Sequence, residues 1–172
     1  MRIELARPSD LSAIHLLVES AFRGDSARVG WSHEADLLDG QRTDRAELEE
    51  ILADPRQHLL VVRGDESLTG CVSLTDKGHG LAYLGMLTVD PRAQAAGLGR
   101  QLLAAAEQYA AATLAATRIE LSIIPQRSEL TAWYERRGYA LTGERRPFPY
   151  GDPRFGLPKR DDLEFAVMEK SL

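Results

Sequence analysis

This chain is short of the residues that build metal and disulfide chemistry. Cys71 is its only cysteine, so no internal disulfide and no cysteine-rich metal site can form. It has only four histidines, His15, His33, His58 and His79, and no two of them stand at ligand spacing, so no metal is expected. A basic excess is also missing. The 21 Lys and Arg against 26 Asp and Glu leave a net charge of −5, which argues against a nucleic-acid partner held by a basic surface. The same charge is compatible with a cationic substrate. No apolar run approaches the roughly 18 residues of a membrane span, and the start "MRIELARPSD" has no apolar segment of a signal peptide. No membrane partner is therefore expected, and the expected compartment is the cytoplasm. Internal repeats and low-complexity tracts are absent as well.

What is present reads as one globular domain over residues 1–172. Apolar residues make up 44% and charged residues 27%, enough for a sizeable core. "MRIELA" alternates as a short strand. Pro8, Ser9 and Asp10 look like a helix start, followed by Leu11, Ile14, Val18 and Phe22 at helical spacing. Residues 23–42 are aperiodic and read as a long loop with room for a helical turn. "TDRAELEEILADP" reads as a second helix, with Thr43 or Asp44 as its cap. "HLLVVRG", "LTGCVSLTDKG" and "LAYLGMLTVD" read as an antiparallel meander. A long helix over Leu98–Leu114, the strand "RIELSII", the helix "RSELTAWYERRG" ending at Gly138, and the strands "YALTGE" and "LEFAVMEK" complete the order. That order predicts an α/β fold: a mixed, mostly antiparallel central sheet of about seven strands flanked by about four helices.

The stretch "VDPRAQAAGLGRQLL" stands between the third strand of the meander and the long helix. First-turn amides of a helix lack partners and carry partial positive charge, and glycines remove the Cβ atoms that would hold a diphosphate at a distance. Arg100 adds a cation at the same place. Gly-x-Gly alone leaves two readings open, a turn before a helix or a phosphate cradle. It is neither a P-loop nor a dinucleotide fingerprint, since the Gly-Lys-Ser/Thr and the third glycine are missing.

The stretch resembles the acetyl-CoA loop of the GNAT N-acetyltransferase superfamily, Gln/Arg-x-x-Gly-x-Gly/Ala, at Gln94, Gly97 and Gly99. "TAWYERRGYALTGE" is similar to the family's second signature, an aromatic-Tyr-Glu-x-x-Gly-Tyr/Phe stretch. The order of elements is the family's too, so the resemblance spans essentially the whole chain. It implies an enzyme that moves an acetyl group from acetyl-CoA, as co-substrate, to an amine of a small molecule or peptide by direct attack on the thioester. It places Leu87, Thr88 and Val89 beside the pantetheine arm, and Gln94, Ala95, Ala96, Gly97, Leu98, Gly99 and Arg100 at the diphosphate. It makes Tyr134 the general acid near the coenzyme sulfur. On its bland reading Tyr134 is a packed helix–sheet tyrosine.

The chain departs from the family pattern in two places. The strand "LAYLGMLTVD" carries no carboxylate before Asp90, where many members have a Glu. "IIPQRSEL" has no Asn, where many members have one before the second signature. The base must come from elsewhere. Glu34 is the choice for a carboxylate that meets the ammonium group; Asp36, Glu120 and a water are its alternatives. Glu34 and Asp36 read equally as loop-face carboxylates, and Glu120 as a sheet carboxylate paired to an arginine. The acceptor pocket is expected from the first long loop, with Trp31 and His33, and from the late segment "RRPFPYGDPRFGLPKRDD", with Phe148 and Tyr150. In that segment Arg145, Arg146, Arg154, Lys159 and Arg160 either bind an anionic part of a substrate or keep the loop soluble. A homodimer is compatible with the sequence. A non-catalytic acyl-CoA-binding module, or a transferase with a different acyl donor, is the alternative function.

Overall fold

The computed structural model describes residues 2–64 and 67–172; the side chains of Gln94, Ala95 and Ala96 lie outside the described residues. In chain order the elements are β1 (Arg2–Leu5), α1 (Leu11–Phe22), α2 (Gly24–Ala27), β2 (Leu38–Asp39), α3 (Arg45–Ala53), β3 (Gln57–Arg63), β4 (Leu68–Gly78) and β5 (Leu81–Val89). Then follow α4 (Leu98–Thr113), β6 (Arg118–Ile123), α5 (Ser128–Glu135), β7 (Ala140–Pro147), β8 (Leu157–Pro158) and β9 (Glu164–Ser171). Among the described residues, seven strands make one sheet in the order β1-β3-β4-β5-β6-β9-β7, antiparallel throughout except for β5 against β6. This is the expected mixed, mostly antiparallel fold, with five helices instead of about four, because a short one forms in the first long loop.

Both faces of the sheet are covered, and the residues of β3 show how. Leu59 and Val61 pack with Ile14, Val18 and Leu48 of α1 and α3. Leu60 and Val62 point the other way, into a cluster with Leu102, Ala106 and Ala110 of α4. A strand buried on both faces needs an apolar run rather than an alternation, which is what "HLLVV" supplies. Leu102 has no exposed surface, so Leu102→Ala is worth about 2–5 kcal/mol of destabilisation. Cys71 belongs to this interior: it is fully buried, its thiol faces the Met86 carbonyl, and burial pushes its pKa up to about 12.

Local chemistry sets the helix ends. The Asp44 side chain accepts from the Glu47 amide at 2.8 Å and caps α3. Beyond α5, Gly138 adopts φ +89°, a left-handed conformation that lets the Gly138 amide close on the Glu135 carbonyl at 3.0 Å. Two parts of the aperiodic regions are more ordered than their composition suggests. Within 23–42 lie α2 and β2, and β2 pairs with β8 from the late segment, Leu38 opposite Pro158 and Asp39 opposite Leu157. The two irregular segments thereby order each other.

The feature that shapes the site is the parting of β5 from β6. Among the described residues their ladder covers Leu81–Arg118, Ala82–Ile119 and Tyr83–Glu120, then ends. At the same level β4 and β5 slip by one residue, between the pairs Cys71–Thr88 and Ser73–Gly85. Met86 sits in that slip with φ +51°, a bulge that bends β5. From Leu84 onward β5 turns away while β6 continues on β9, and a wedge opens in the middle of the sheet.

Candidate active site

The wedge widens into a cleft of about 870 Å³. One wall is β5 from Leu84 to Val89, and another is the mouth of α4 with Gly97, Gly99 and Arg100. After β5 a 3-10 turn, Pro91–Ala96, leads to Gly97, whose φ of +73° turns the chain into α4. Gln101 is the first α4 amide bonded back into the turn, to the Gly97 carbonyl at 3.3 Å. The amides of Leu98, Gly99 and Arg100 precede it in the helix and lack a helical acceptor by construction. A Cβ on Gly97 would meet nothing within 4 Å, so that glycine is required by its backbone conformation rather than by protein packing. A Cβ on Gly99 would touch Trp133 and Val89 at 3.6 and 3.7 Å, an ordinary contact.

Tyr134 stands on the same cleft, on α5. It is buried, and its ring is fixed edge-on by Trp133 and Tyr139, with centroids 4.9 and 5.4 Å away. Its hydroxyl meets no hydrogen-bond partner among the described residues. Burial pushes the hydroxyl well above the ordinary tyrosine value of 10.0, with the charge of Arg127 acting against it. The group therefore stays protonated at neutral pH and has a proton to give. Arg137 lies flat over Trp133 at 3.6 Å from the ring centroid; burial and the like charges of Arg136 and Arg100 hold its pKa below the usual arginine value. Its Nε–H is buried and has no hydrogen-bond partner among the described residues.

The opposite end of the cleft is built from the two irregular segments. Trp31, Ser32, Glu34 and Leu38 come from the first, and Phe148 and Phe155 from the second. Glu34 is the centre of a buried cluster: Oε2 accepts from Arg23 at 2.5 Å and Oε1 from Arg127 at 3.0 Å. Arg127 also reaches the Ser32 hydroxyl at 2.9 Å, and Ser32 in turn donates to Glu129 at 2.8 Å. The loop is thus docked onto the start of α5. Burial alone would raise the Glu34 pKa; Arg127, Arg23 and Arg42 outweigh it and leave the carboxyl below its ordinary value of 4.5.

The model of the acetyltransferase (GNAT) family matches residues 13–139. The chain belongs to the GNAT acetyltransferase family. No curated protein sequence matches it significantly. Among solved structures, a ribosomal-protein-alanine N-acetyltransferase from Brucella melitensis is similar at a TM-score of 0.73 and 18% identity, covering 100% of both chains. A spermidine N-acetyltransferase from Vibrio cholerae, in complex with CoA and spermine, is similar at a TM-score of 0.72 and 19% identity, covering 99% of this chain and 94% of that one. At such identities these two structures establish a shared fold.

Within this GNAT fold the expected site residues fall into four groups. Leu87, Thr88, Val89, Gly97, Gly99, Arg100, Tyr134, Trp31, Glu34 and Phe148 all line the cleft. Trp31 packs on Trp133 at 6.1 Å between centroids, which ties it to the side of the cleft where Gly99 sits. Leu98, the first residue of α4, has its side chain buried in the core, so only its backbone can serve a ligand. The side chains of Gln94, Ala95 and Ala96 lie outside the described residues. His33 and Tyr150 are not on the cleft wall. The His33 ring turns back to the Ala35 amide, and the Tyr150 hydroxyl is bound to the Arg160 carbonyl and the Leu163 amide at 3.0 and 2.8 Å. Tyr150 instead braces Phe148 from behind, with ring centroids 5.1 Å apart.

The alternative carboxylates are committed elsewhere. Asp36 pairs with Arg28, and Glu120 accepts from Arg146 at 3.1 and 3.2 Å as a sheet carboxylate. The late segment's cations are all in ion pairs: Arg145 with Glu164, Arg146 with Glu120, Arg154 with Asp152, Lys159 with Asp39 and Arg160 with Asp162. They hold the segment together. Sequence reasoning missed Arg23, Arg42 and Arg127. Arg127 and Glu34 are 93 residues apart, and only the folded chain brings them together.

Proposed function

We propose that the protein transfers an acetyl group from acetyl-CoA to a primary amine. The observation that carries this reading is the convergence, on one cleft, of the parted edge of β5, the Gly97–Arg100 helix mouth and the Tyr134 hydroxyl. The residues present fit coenzyme A. Arg100 and Arg137 bring two cations without carboxylate partners among the described residues to the end with the unbonded amides. The buried, partnerless Nε–H of Arg137 is one more donor at that end. The edge of β5 from Leu84 to Thr88, no longer covered by β6, offers backbone groups to an extended amide-bearing arm.

Acetyl-CoA supplies a thioester carbonyl and a thiolate leaving group. The chain's contribution is to place an amine against that carbonyl and to donate a proton from Tyr134 as the thiolate departs. Tyr134 suits the task because its hydroxyl is protonated at neutral pH and its ring is held by two aromatic neighbours. Glu34 does not suit a base. Both of its oxygens are occupied by guanidinium groups, and its pKa lies below the ordinary carboxylate value, so it holds the acceptor loop in place. The amine's proton then leaves through water in the open cleft.

The test is acetyl transfer from acetyl-CoA to a panel of amines, read by thiol release and by product mass. Acetylated amine in wild type and its loss in Tyr134→Phe are expected. CoA binding without any transfer would leave the protein a binding module.

A further inference from the structure

Three guanidinium groups on the cleft wall, Arg23, Arg42 and Arg127, act on the carboxylate of Glu34. Only two of them, Arg23 and Arg127, are in ion pairs with it among the described residues. Arg23 and Arg127 are buried, and each donates to one oxygen of the carboxylate they share. Arg42 is different. Its guanidinium lies over the Phe22 ring at 5.2 Å and forms no ion pair among the described residues. The same Phe22 ring has Arg127 at 6.0 Å, and both cations act on Glu34. The backbone around Arg42 is held, since the amides of Arg42 and Thr43 donate to Glu19 at 2.7 and 2.9 Å. A held backbone, an aromatic ring beside the guanidinium and a fork without an ion pair among the described residues suit a directional anion receptor.

We propose, building on the transferase reading above, that the acceptor is an amine that also carries an anion, and that Arg42 binds this anion. The recognised group is one that accepts from a guanidinium fork, a carboxylate or a phosphate. Glu47 and Glu50 of α3 line the same cleft and offer a counter-charge to the ammonium end; Glu47 already accepts from the Thr43 hydroxyl at 2.6 Å. A polycation lacks a group that accepts from the Arg42 guanidinium. The late segment does not compete for the anion, because its five cations are paired.

The experiment compares kcat/KM within matched pairs: 4-aminobutyrate against butylamine, lysine against cadaverine, and phosphoethanolamine against ethanolamine, with spermidine as the polycation. Wild type should favour the anionic member of a carboxylate or phosphate pair by at least about tenfold, the scale of one charge-assisted hydrogen bond. The pair showing the larger preference tells carboxylate from phosphate. Arg42→Gln should collapse that preference towards unity by raising KM for the anionic member, and Arg42→Lys should restore part of it. Thermal melts of both variants report that they fold. Transfer to amines without an anionic preference, a preference for spermidine, or a ratio that Arg42→Gln leaves intact overturns this inference and leaves the transferase reading standing. CoA binding with no acetylation of any amine overturns the transferase reading itself, and the inference with it.

Discussion

Tyr134 and Glu34, the two residues proposed from the sequence for catalysis, stand in different surroundings. Tyr134 lines the cleft and its hydroxyl has no hydrogen-bond partner among the described residues, so removing it takes away a proton donor and little else. Tyr134→Phe should lower kcat by roughly 10²–10⁴, if chemistry limits the rate, and keep the CoA dissociation constant. Calorimetry and steady-state rates check the two halves. Glu34 neutralises two buried arginines, and its substitution leaves them uncompensated. Glu34→Gln should cost about 3–5 kcal/mol in urea unfolding at neutral pH, far beyond a surface ion pair. The pH dependence follows from the direction of its shift. The folded pKa lies below the ordinary 4.5, so the stabilisation is full above that value and is lost as pH falls through the folded one. Asp10, whose hydrogen bonds to Arg63 depress its carboxyl below 3.8, adds to the same acid loss. In Glu34→Gln the decline in stability below about pH 4.5 should be shallower than in wild type; equal slopes would deny Glu34 this role.

At the scale of elements, the two glycines at the α4 mouth should behave differently. Gly97 holds a left-handed φ of +73°, which a Cβ makes costly by roughly 1–2 kcal/mol. Gly97→Ala should therefore destabilise the free protein and weaken CoA binding, while Gly99→Ala, whose Cβ makes ordinary contacts, should change stability little. Denaturant midpoints of the two variants decide. These elements also show what a linear chain discloses. The Ala- and Leu-rich run to Leu114 predicted α4 to within one residue, because its apolar spacing is local. "YALTGE" was read too short, since β7 runs on to Pro147 with support from β9 rather than from its own composition. Strand β2 was invisible, because its two residues are a strand only when paired with β8. The parting of β5 and β6 and the bulge at Met86 were equally hidden. A wedge is a relation between two strands, and the residue that takes the left-handed conformation, Met86, is not a glycine. The glycine-bearing mouth of α4 was legible because its residues are consecutive. The Arg23–Glu34–Arg127 cluster was not, because its members come from three places in the chain.

For the molecule as a whole, the sheet is one body with a gap at its centre, covered on both faces and open at the cleft. A ligand that fills the gap joins β5, α4 and α5, elements that otherwise meet across a cavity. CoA at 100 times its dissociation constant should add about 2.7 kcal/mol to stability. For a domain of this size that raises Tm by roughly 5–11 °C. A scan with and without CoA checks it, and Arg137→Ala should shrink the rise if its guanidinium meets the diphosphate. The central claim is that the wedge between β5 and β6 is where the acetyl donor lies and where Tyr134 acts. A crystal structure with CoA tests this most directly. The account predicts the diphosphate on the Leu98–Arg100 amides, the arm along β5 from Leu84 to Val89, and the sulfur within hydrogen-bond reach of the Tyr134 hydroxyl. CoA bound elsewhere, or a sulfur remote from Tyr134, would contradict it.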